Sequence, residues 1–301
     1  MGLRVAMLGL GTVESVPIFH YSPGGLALRV RLDGYAGDVF KCGDGVEEVF
    51  DLCLYGRMGV FEPVELGERA LLGAAMQARV DLVVFEGRGV ETLVPQALVE
   101  ELKRSGVSVA YRTFADRVDF DAIRAADVVV VDYMRDYLVD PSTSIDILEN
   151  LDSILKLGPW VEVSVYLETP ERDKIAPVIE TMHGRLNPLH VHVRHHMGGA
   201  AITRLYESAR KRVPHVYVHN YLYPHLDTYC PHCGAPVAVR DNMALSSLES
   251  KDGRCWRCGG IIPFHGKIMK RTPPRVLVVT GGVRWLHPLL VKRTGSLLGL
   301  T

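Results

Sequence analysis

The sequence predicts an α/β fold built on a parallel sheet, followed by a small metal-folded module. Two observations carry this. From residue 66 to residue 218, short apolar runs alternate with segments of helical period at least five times. Such runs are buried on both faces, as strands are when helices cross between parallel neighbours. Beyond residue 221, four of the six cysteines fall into two C-x-x-C-G pairs. The composition agrees with a globular chain: 301 residues, 48% hydrophobic and 23% charged. The formal charge of −1 excludes a chain drawn as a whole to nucleic acid or to an anionic membrane, and leaves room for a local basic patch. No apolar run reaches the roughly 18 residues of a membrane span, and Met1 to Leu10 lacks the features of a signal peptide.

In chain order, Arg4 to Leu8 reads as an apolar strand, with Gly9-Leu10-Gly11 as the turn that ends it. That glycine pair lacks the third glycine of a dinucleotide fingerprint. Leu26 to Leu32 alternates apolar and charged residues, as a half-exposed strand would. Gly34 to Gly45 reads as a loop, Leu66 to Arg79 as a helix and Asp81 to Phe85 as a strand. Leu93 to Ser105 follows as a helix stopped by Gly106, Val107 to Tyr111 as a strand, and Phe120 to Ala125 as a short helix. Asp127 to Asp132, Val161 to Leu167, Leu189 to Val193 and His215 to Val218 read as strands. Ile145 to Leu157, Arg172 to Met182 and Ala201 to Arg212 read as helices. Right-handed crossovers of this kind build either an open doubly wound sheet or a (β/α) barrel, and the alternation alone does not choose.

The cysteine pairs, Cys230/Cys233 and Cys255/Cys258, are separated by 21 intervening residues. Each pair forms a tight turn whose following glycine permits the conformation that the turn needs. Together they supply four thiolates in a tetrahedron, which suits structural zinc; a set of four protein ligands leaves no open catalytic position. Two disulfides or an iron site are the alternatives. Thiol pairs of this spacing point to a reducing compartment, hence a cytoplasmic protein.

Several segments carry a family resemblance. They are Pro17 to Gly24, Val131-Asp132, Val161 to Val165, Pro188 to His190 with His195, His215 to Asn220, Thr228 to Gly234 and Lys251 to Gly259. Over roughly residues 17 to 266 they resemble the AmmeMemoRadiSam-system radical-SAM proteins, which are similar to pyruvate-formate-lyase activating enzymes. The resemblance implies a partial (β/α) barrel with a C-terminal zinc ribbon. It divides the chain into N-terminal strands (1–33), a barrel (34–220), a ribbon (221–270) and a basic, apolar tail (271–301).

The departures from that family shape the functional expectation. Its [4Fe–4S] cluster is held by C-x3-C-x2-C, and the matching positions here are Tyr35, Val39 and Cys42. A single thiolate does not hold such a cluster. The family's loop for the methionine amino group corresponds to Glu86 to Gly89 without the acid in place, its Thr-Asn-Gly strand end to Thr113 to Ala115, and its strand-end lysine to Met134. Four altered parts of one machine imply that neither the cluster nor S-adenosylmethionine chemistry is retained. The expected role is then a binding or scaffold protein for a protein partner or small ligand.

Two other functional classes stay open. One is an enzyme that reuses the barrel mouth, either by metal-assisted chemistry at His190, His192 and His195 or by radical chemistry with unorthodox cluster ligands. In a strand, His190 and His192 share a face, and Asp132 or Glu162 from a neighbouring strand would complete a metal site. The plainer reading is a hydrogen-bonded polar cluster, with Thr113 and Asp132 beside it. The other class is an RNA- or ribosome-associated protein acting through the ribbon residues Arg254, Trp256 and Arg257 and the basic run from Lys267 to Arg275, with Arg284, Lys292 and Arg293. Cys42 and Cys53 read as two free thiols, with a disulfide between them as the alternative.

Overall fold

A computed structural model describes residues 2–33, 63–138, 140, 142–169, 171–193, 198–220, 222–241, 243–272 and 283–286. Ten strands form one sheet. The first three are β1 (Gly2–Thr12), β2 (Leu26–Leu32) and β3 (Val64–Gly67). They are followed by α1 (Glu68–Ala78), β4 (Leu82–Glu86), α2 (Val90–Leu93), α3 (Gln96–Arg104), β5 (Ser108–Thr113), α4 (Phe120–Ala125) and β6 (Val128–Tyr133). The alternation continues through α5 (Thr143–Ile154), β7 (Trp160–Leu167), α6 (Arg172–Met182), β8 (Leu189–Val193), α7 (Gly199–Arg210) and β9 (Val216–His219).

Strands β2, β4, β5, β6, β7, β8 and β9 are parallel and lie side by side in chain order. The reversal of order that defines a doubly wound sheet is absent among the described strands. A sheet wound in one direction keeps its crossover helices on one face. Residues such as Leu98, Ile147, Ile175 and Ile202 of those helices accordingly join Val83, Val109, Val129, Val163 and Val191 of the strands in one continuous core. The other face is turned inward, giving a barrel-like core. Its lower part, toward the strand N-termini, packs Ala27, Leu82, Val84, Ala110, Val128 and Val130 against Val13, Val16 and Ile18.

Several elements depart from the sequence reading, each for a local reason. Gly9-Leu10-Gly11 continues β1, because both edges of this segment are paired: Gly9 lies opposite Arg29 on β2 and opposite Trp285 on a further strand, β15 (Val283–Leu286). Four residues of the C-terminal tail therefore belong to the sheet. β1 and β2 are hydrogen-bonded into the same sheet as β4 to β9, so the division expected at residue 33 does not separate two sheets. Leu66 lies in β3 rather than in the helix that follows. The helix expected from Leu93 to Ser105 begins only at Gln96, after Pro95 as its N-cap, and Leu93 instead ends the short helix α2. Strand β2 is buried throughout its charged half: Arg29 and Arg31 are each 4% exposed.

The cysteine module has its own small sheet of β10 (Thr228–Tyr229), β11 (Pro236–Asp241) and β12 (Ala244–Leu248). Beside it lies a hairpin of β13 (Ser250–Lys251) and β14 (Arg254–Cys255). Its core includes Val237, Leu245, Leu248, Ile262 and Phe264 together with Cys230 and Cys255. The module is tied to the large sheet by backbone bonds from His265 to His20 and from Ser22 to His265, each 2.8 Å. No helix among the described residues is long and apolar enough to cross a membrane.

Candidate functional site

Side chains alternate along a strand, so every second residue of the parallel strands faces inward. Toward the C-terminal ends these residues change from apolar to polar. Arg31, Glu86 and Arg112 stand in register on β2, β4 and β5. Ser164 of β7 lies between Asp132 of β6 and His190 of β8. Tyr166, His192 and His219 form the next row on β7, β8 and β9. In sheets of this kind the C-terminal ends of the strands are where chemistry is usually placed.

The β2–β6 half of this face is built from arginines and carboxylates. Glu86 accepts from both Arg29 and Arg31, at 3.0 Å from Arg29 Nη2 and 3.3 Å from Arg31 Nη2. Burial alone would raise the Glu86 carboxyl, but the two guanidiniums outweigh it and hold the group down to about 2. Arg112 donates to both oxygens of Asp132, at 2.7 and 3.2 Å, and also to the Tyr166 hydroxyl. Burial pushes the Asp132 carboxyl up, against the pull of that guanidinium.

The β7–β9 half is a chain of one carboxylate and two imidazoles. Glu162 accepts from the backbone N–H groups of Phe19 and His20, both at 2.8 Å, and from Trp160 Nε1 at 3.2 Å. Its Oε2 lies 2.8 Å from His190 Nε2, and His190 Nδ1 lies 3.0 Å from His219 Nε2. Burial pushes the Glu162 carboxyl up to about 7 and keeps His190 and His219 neutral, well below the usual imidazole range. The direction of the hydrogen bonds follows from Glu162. When it is ionised, His190 donates through Nε2 and accepts at Nδ1, so His219 donates through Nε2 and presents a lone pair at Nδ1. When it is protonated, every bond of the chain reverses and His219 Nδ1 carries a hydrogen. The Nδ1 of His219, the Nε2 of His192 and the Oγ of Ser164 are buried with no hydrogen-bond partner among the described residues.

The cysteine module covers the lower edge of this half. His20 meets the Pro263 carbonyl at 3.2 Å and the Tyr217 hydroxyl at 2.6 Å, and Tyr217 meets Thr228 Oγ1 at 2.7 Å. Arg240 of β11 lies with its guanidinium carbon 4.0 Å from the centre of the Phe19 ring. Through its two Nη atoms it donates to the carbonyls of Leu226 and Phe19 and to Thr228 Oγ1, at 2.9 to 3.0 Å.

The expected metal site on the histidine strand does not assemble among the described residues. His192 stacks on His219 with ring centres 4.2 Å apart and planes 14° from parallel, so their in-plane lone pairs run side by side and do not converge on one ion. Asp132 is committed to Arg112, and Glu162 to its backbone donors and His190. Thr113 is buried, with its Oγ1 accepting from Ala115 N at 3.3 Å. Tyr35, Val39, Cys42, Cys53 and His195 lie outside the described residues.

The four module cysteines do assemble. Their sulfurs are unbridged and all lie within 4.8 Å of one another. Cys230 and Cys258 are 3.6 Å apart, and Cys233 and Cys255 are 3.7 Å apart. A tetrahedron with metal–sulfur bonds of about 2.3 Å has edges of about 3.8 Å, so the sulfur cage already has the size of a metal site. The two pairs are built alike. Gly234 N bonds the Cys230 carbonyl and Gly259 N bonds the Cys255 carbonyl, both at 2.9 Å, with the glycines at φ +71° and +72°. In the second pair, Arg257 N and Gly260 N each donate to a sulfur at 3.4 Å, as donors to thiolates do. Among the described residues this is the group able to hold a metal ion.

Sequence reasoning missed Arg29, Arg31, Arg112, Tyr166 and Arg240. The alternation of β2 was a usable signal, since charged residues every second position have two destinations, solvent or a polar interior. A buried acid in the next strand of the sheet, Glu86, decides for the interior. Arg240 gave no such signal, because its partners lie up to 221 residues away.

No family model matches the chain, and no curated protein matches it. Among solved structures it is similar to Streptococcus suis SuiB bound to S-adenosylmethionine, at 12% sequence identity and a TM-score of 0.37. The match covers 53% of this chain and 44% of that one, less than half of its length.

Proposed function

We propose that the chain is a non-catalytic relative of radical-SAM enzymes, a partial (β/α) barrel with a zinc ribbon, and that it acts in the reducing cytoplasm by binding. The observation that carries this reading is the whereabouts of the sulfur. The chain has no C-x3-C-x2-C motif, and the four cysteines that stand in pairs form a closed cage with no position for a substrate. The inner face supports it too. Its acids at the C-terminal strand ends, Glu86 and Asp132, are occupied by arginines of the chain itself.

The test is metal content with an absorption spectrum, on protein purified and reconstituted without oxygen. The expected result is about one zinc per chain, no iron and no iron–sulfur absorption. About four irons per chain, with a spectrum that responds to S-adenosylmethionine, would overturn the reading. One observation favours a second reading, acid–base chemistry at the inner face: the Glu162–His190–His219 chain ends on a buried nitrogen without a partner among the described residues. Substrate-dependent turnover lost in His219→Ala but kept in Ser164→Ala would establish it.

A further inference from the structure

The near-neutral charge of the whole chain hides a steep division along it. From Gly253 to Thr301 there are nine Lys or Arg residues and no Asp or Glu. The preceding 252 residues hold all 35 acids against the remaining 25 bases. An asymmetry of this size between two parts of a chain marks a site for a polyanion on the basic part.

The basic part begins at the second cysteine pair, and there the structure presents an aromatic surface. Trp256 is 58% exposed although it sits between two metal-ligating cysteines. Its indole is fixed rather than loose: Nε1 donates to the Pro236 carbonyl at 2.9 Å, which pins the ring edge to the start of β11. A shallow cavity of about 230 Å³ opens beside it, lined by Pro236, Val237, Val239, Glu249 and Trp256. Lys251, Arg254 and Arg257 are exposed on the same short stretch of chain. Arg254 is held by a bond from Nη1 to the Gly259 carbonyl at 3.0 Å. An exposed, hydrogen-bonded indole with cations close to it in the chain, beside the acids Glu249 and Asp252, can accept an unstacked base while the neighbouring phosphates meet guanidinium and ammonium groups.

We propose that the exposed face of the cysteine module, centred on Trp256 with Lys251, Arg254 and Arg257, binds single-stranded nucleic acid by stacking a base on the indole. A duplex fits less well, since its bases are already stacked and withheld from a flat aromatic surface. An acidic protein segment would satisfy the charges but not the indole face. The inference rests on the reading that this chain acts by binding, and it names the class of partner.

The test is fluorescence anisotropy with the full chain and labelled oligonucleotides of about 15 nucleotides, oligo(U) and oligo(dT), from low to physiological salt. Binding is expected to weaken with salt. Trp256→Ala should cost at least about fivefold in affinity, leave the salt dependence unchanged and keep the zinc content of the parent. Trp256→Phe should lose less. Arg254→Ala with Arg257→Ala should flatten the log–log salt slope by about 1.4, as loss of two phosphate contacts does on a single strand. Absence of binding at low salt, equal affinity of parent and Trp256→Ala, tighter binding to a duplex, or binding to phosphatidylserine vesicles in place of oligonucleotide would each overturn the proposal. Metal analysis of the same sample keeps the two readings apart. Iron that responds to S-adenosylmethionine ends the non-catalytic reading whatever the oligonucleotides do. Zinc alone with no oligonucleotide binding ends only the present proposal.

Discussion

The two halves of the inner face keep polar groups out of water by different means. The β2–β6 half pairs full charges: Arg29 and Arg31 with Glu86, and Arg112 with Asp132. The pairs named there lie within the sheet. The β7–β9 half keeps its imidazoles neutral and joins them through Glu162, and it borrows its lower wall from the cysteine module through Pro263, Thr228 and Arg240. A buried charge pair is costly to break, because the partner left behind is an uncompensated charge. A neutral hydrogen-bond chain is cheaper to break, responds to pH near neutrality and depends on its cover. The first half is therefore expected to anchor the sheet, and the second to respond to pH and to loss of its cover.

Removing the metal tests that division with the largest effect. The module core is small and includes two of its cysteines, so metal binding, on the order of 10–16 kcal/mol in comparable modules, is expected to be what folds it. Chelation, or Cys230→Ser with Cys255→Ser, is expected to unfold residues 228 to 264 and to uncover the lower edge of the histidine half. Hydrogen exchange should then show protection lost in the module and reduced in β7 to β9, but kept in β2, β4 and β5. Equal loss along the whole sheet would mean that the halves are not separate.

Breaking the charged half comes next. Glu86→Ala leaves two guanidiniums buried beside each other, and a buried pair deprived of one partner typically costs about 3–5 kcal/mol. Denaturant unfolding should show a loss of that order. Because folding holds Glu86 down to about 2 from 4.5, its contribution is present above pH 4.5 and fades as the pH falls toward 2. A variant no less stable than the parent at neutral pH would remove the arginine half as the anchor of the sheet.

The legible part of this molecule was whatever is local in sequence. Alternating runs such as Asp127 to Asp132 and Leu189 to Val193 appear as strands because a short apolar stretch between helices has one economical place to go. The cysteine pairs were legible because a C-x-x-C-G turn brings two sulfurs together by itself. What was hidden depends on curvature and long-range closure. Taken without the pairing of β2 to β4, Arg29 reads the same whether it meets water or Glu86, 57 residues on. His190 and His192 share a strand face as expected, but the stacking of His192 on Tyr166 and His219 involves two neighbouring strands. No spacing within one segment encodes that stack.

The pH response of the histidine half gives a third, smaller effect, opposite in sign to that of Glu86. Folding raises the Glu162 carboxyl from 4.5 to about 7. Below pH 4.5 both folded and unfolded chains hold the proton, and no cost arises. Between pH 4.5 and 7 the unfolded chain releases it first, so Glu162 takes away stability as the pH rises, by about 3 kcal/mol at most. The buried histidines act the other way, since the unfolded chain protonates them first as the pH falls below 6.5. The informative quantity is therefore the stability of Glu162→Gln minus that of the parent. It should climb from pH 4.5 to 7 and be level on either side. A difference that stays level across this window would mean that Glu162 is ionised throughout and that the chain to His219 has one fixed polarity.

The smallest effect belongs to Ser164, which stands where the two halves meet. Its neighbours in register are Asp132 of the charged half and His190 of the neutral one, and its buried Oγ has no partner among the described residues. A buried hydroxyl without a hydrogen bond costs about 1–3 kcal/mol on protein scales, so removing it should not hurt. Ser164→Ala is expected to leave the midpoint of unfolding unchanged or to raise it slightly. A loss of more than about 1 kcal/mol would say that the hydroxyl is satisfied in solution, and the partner available to it there is an ordered water held between Asp132 and His190. The boundary between the halves would then be wet, and Arg112 and Glu162 would communicate through that water rather than being insulated by a dry seam.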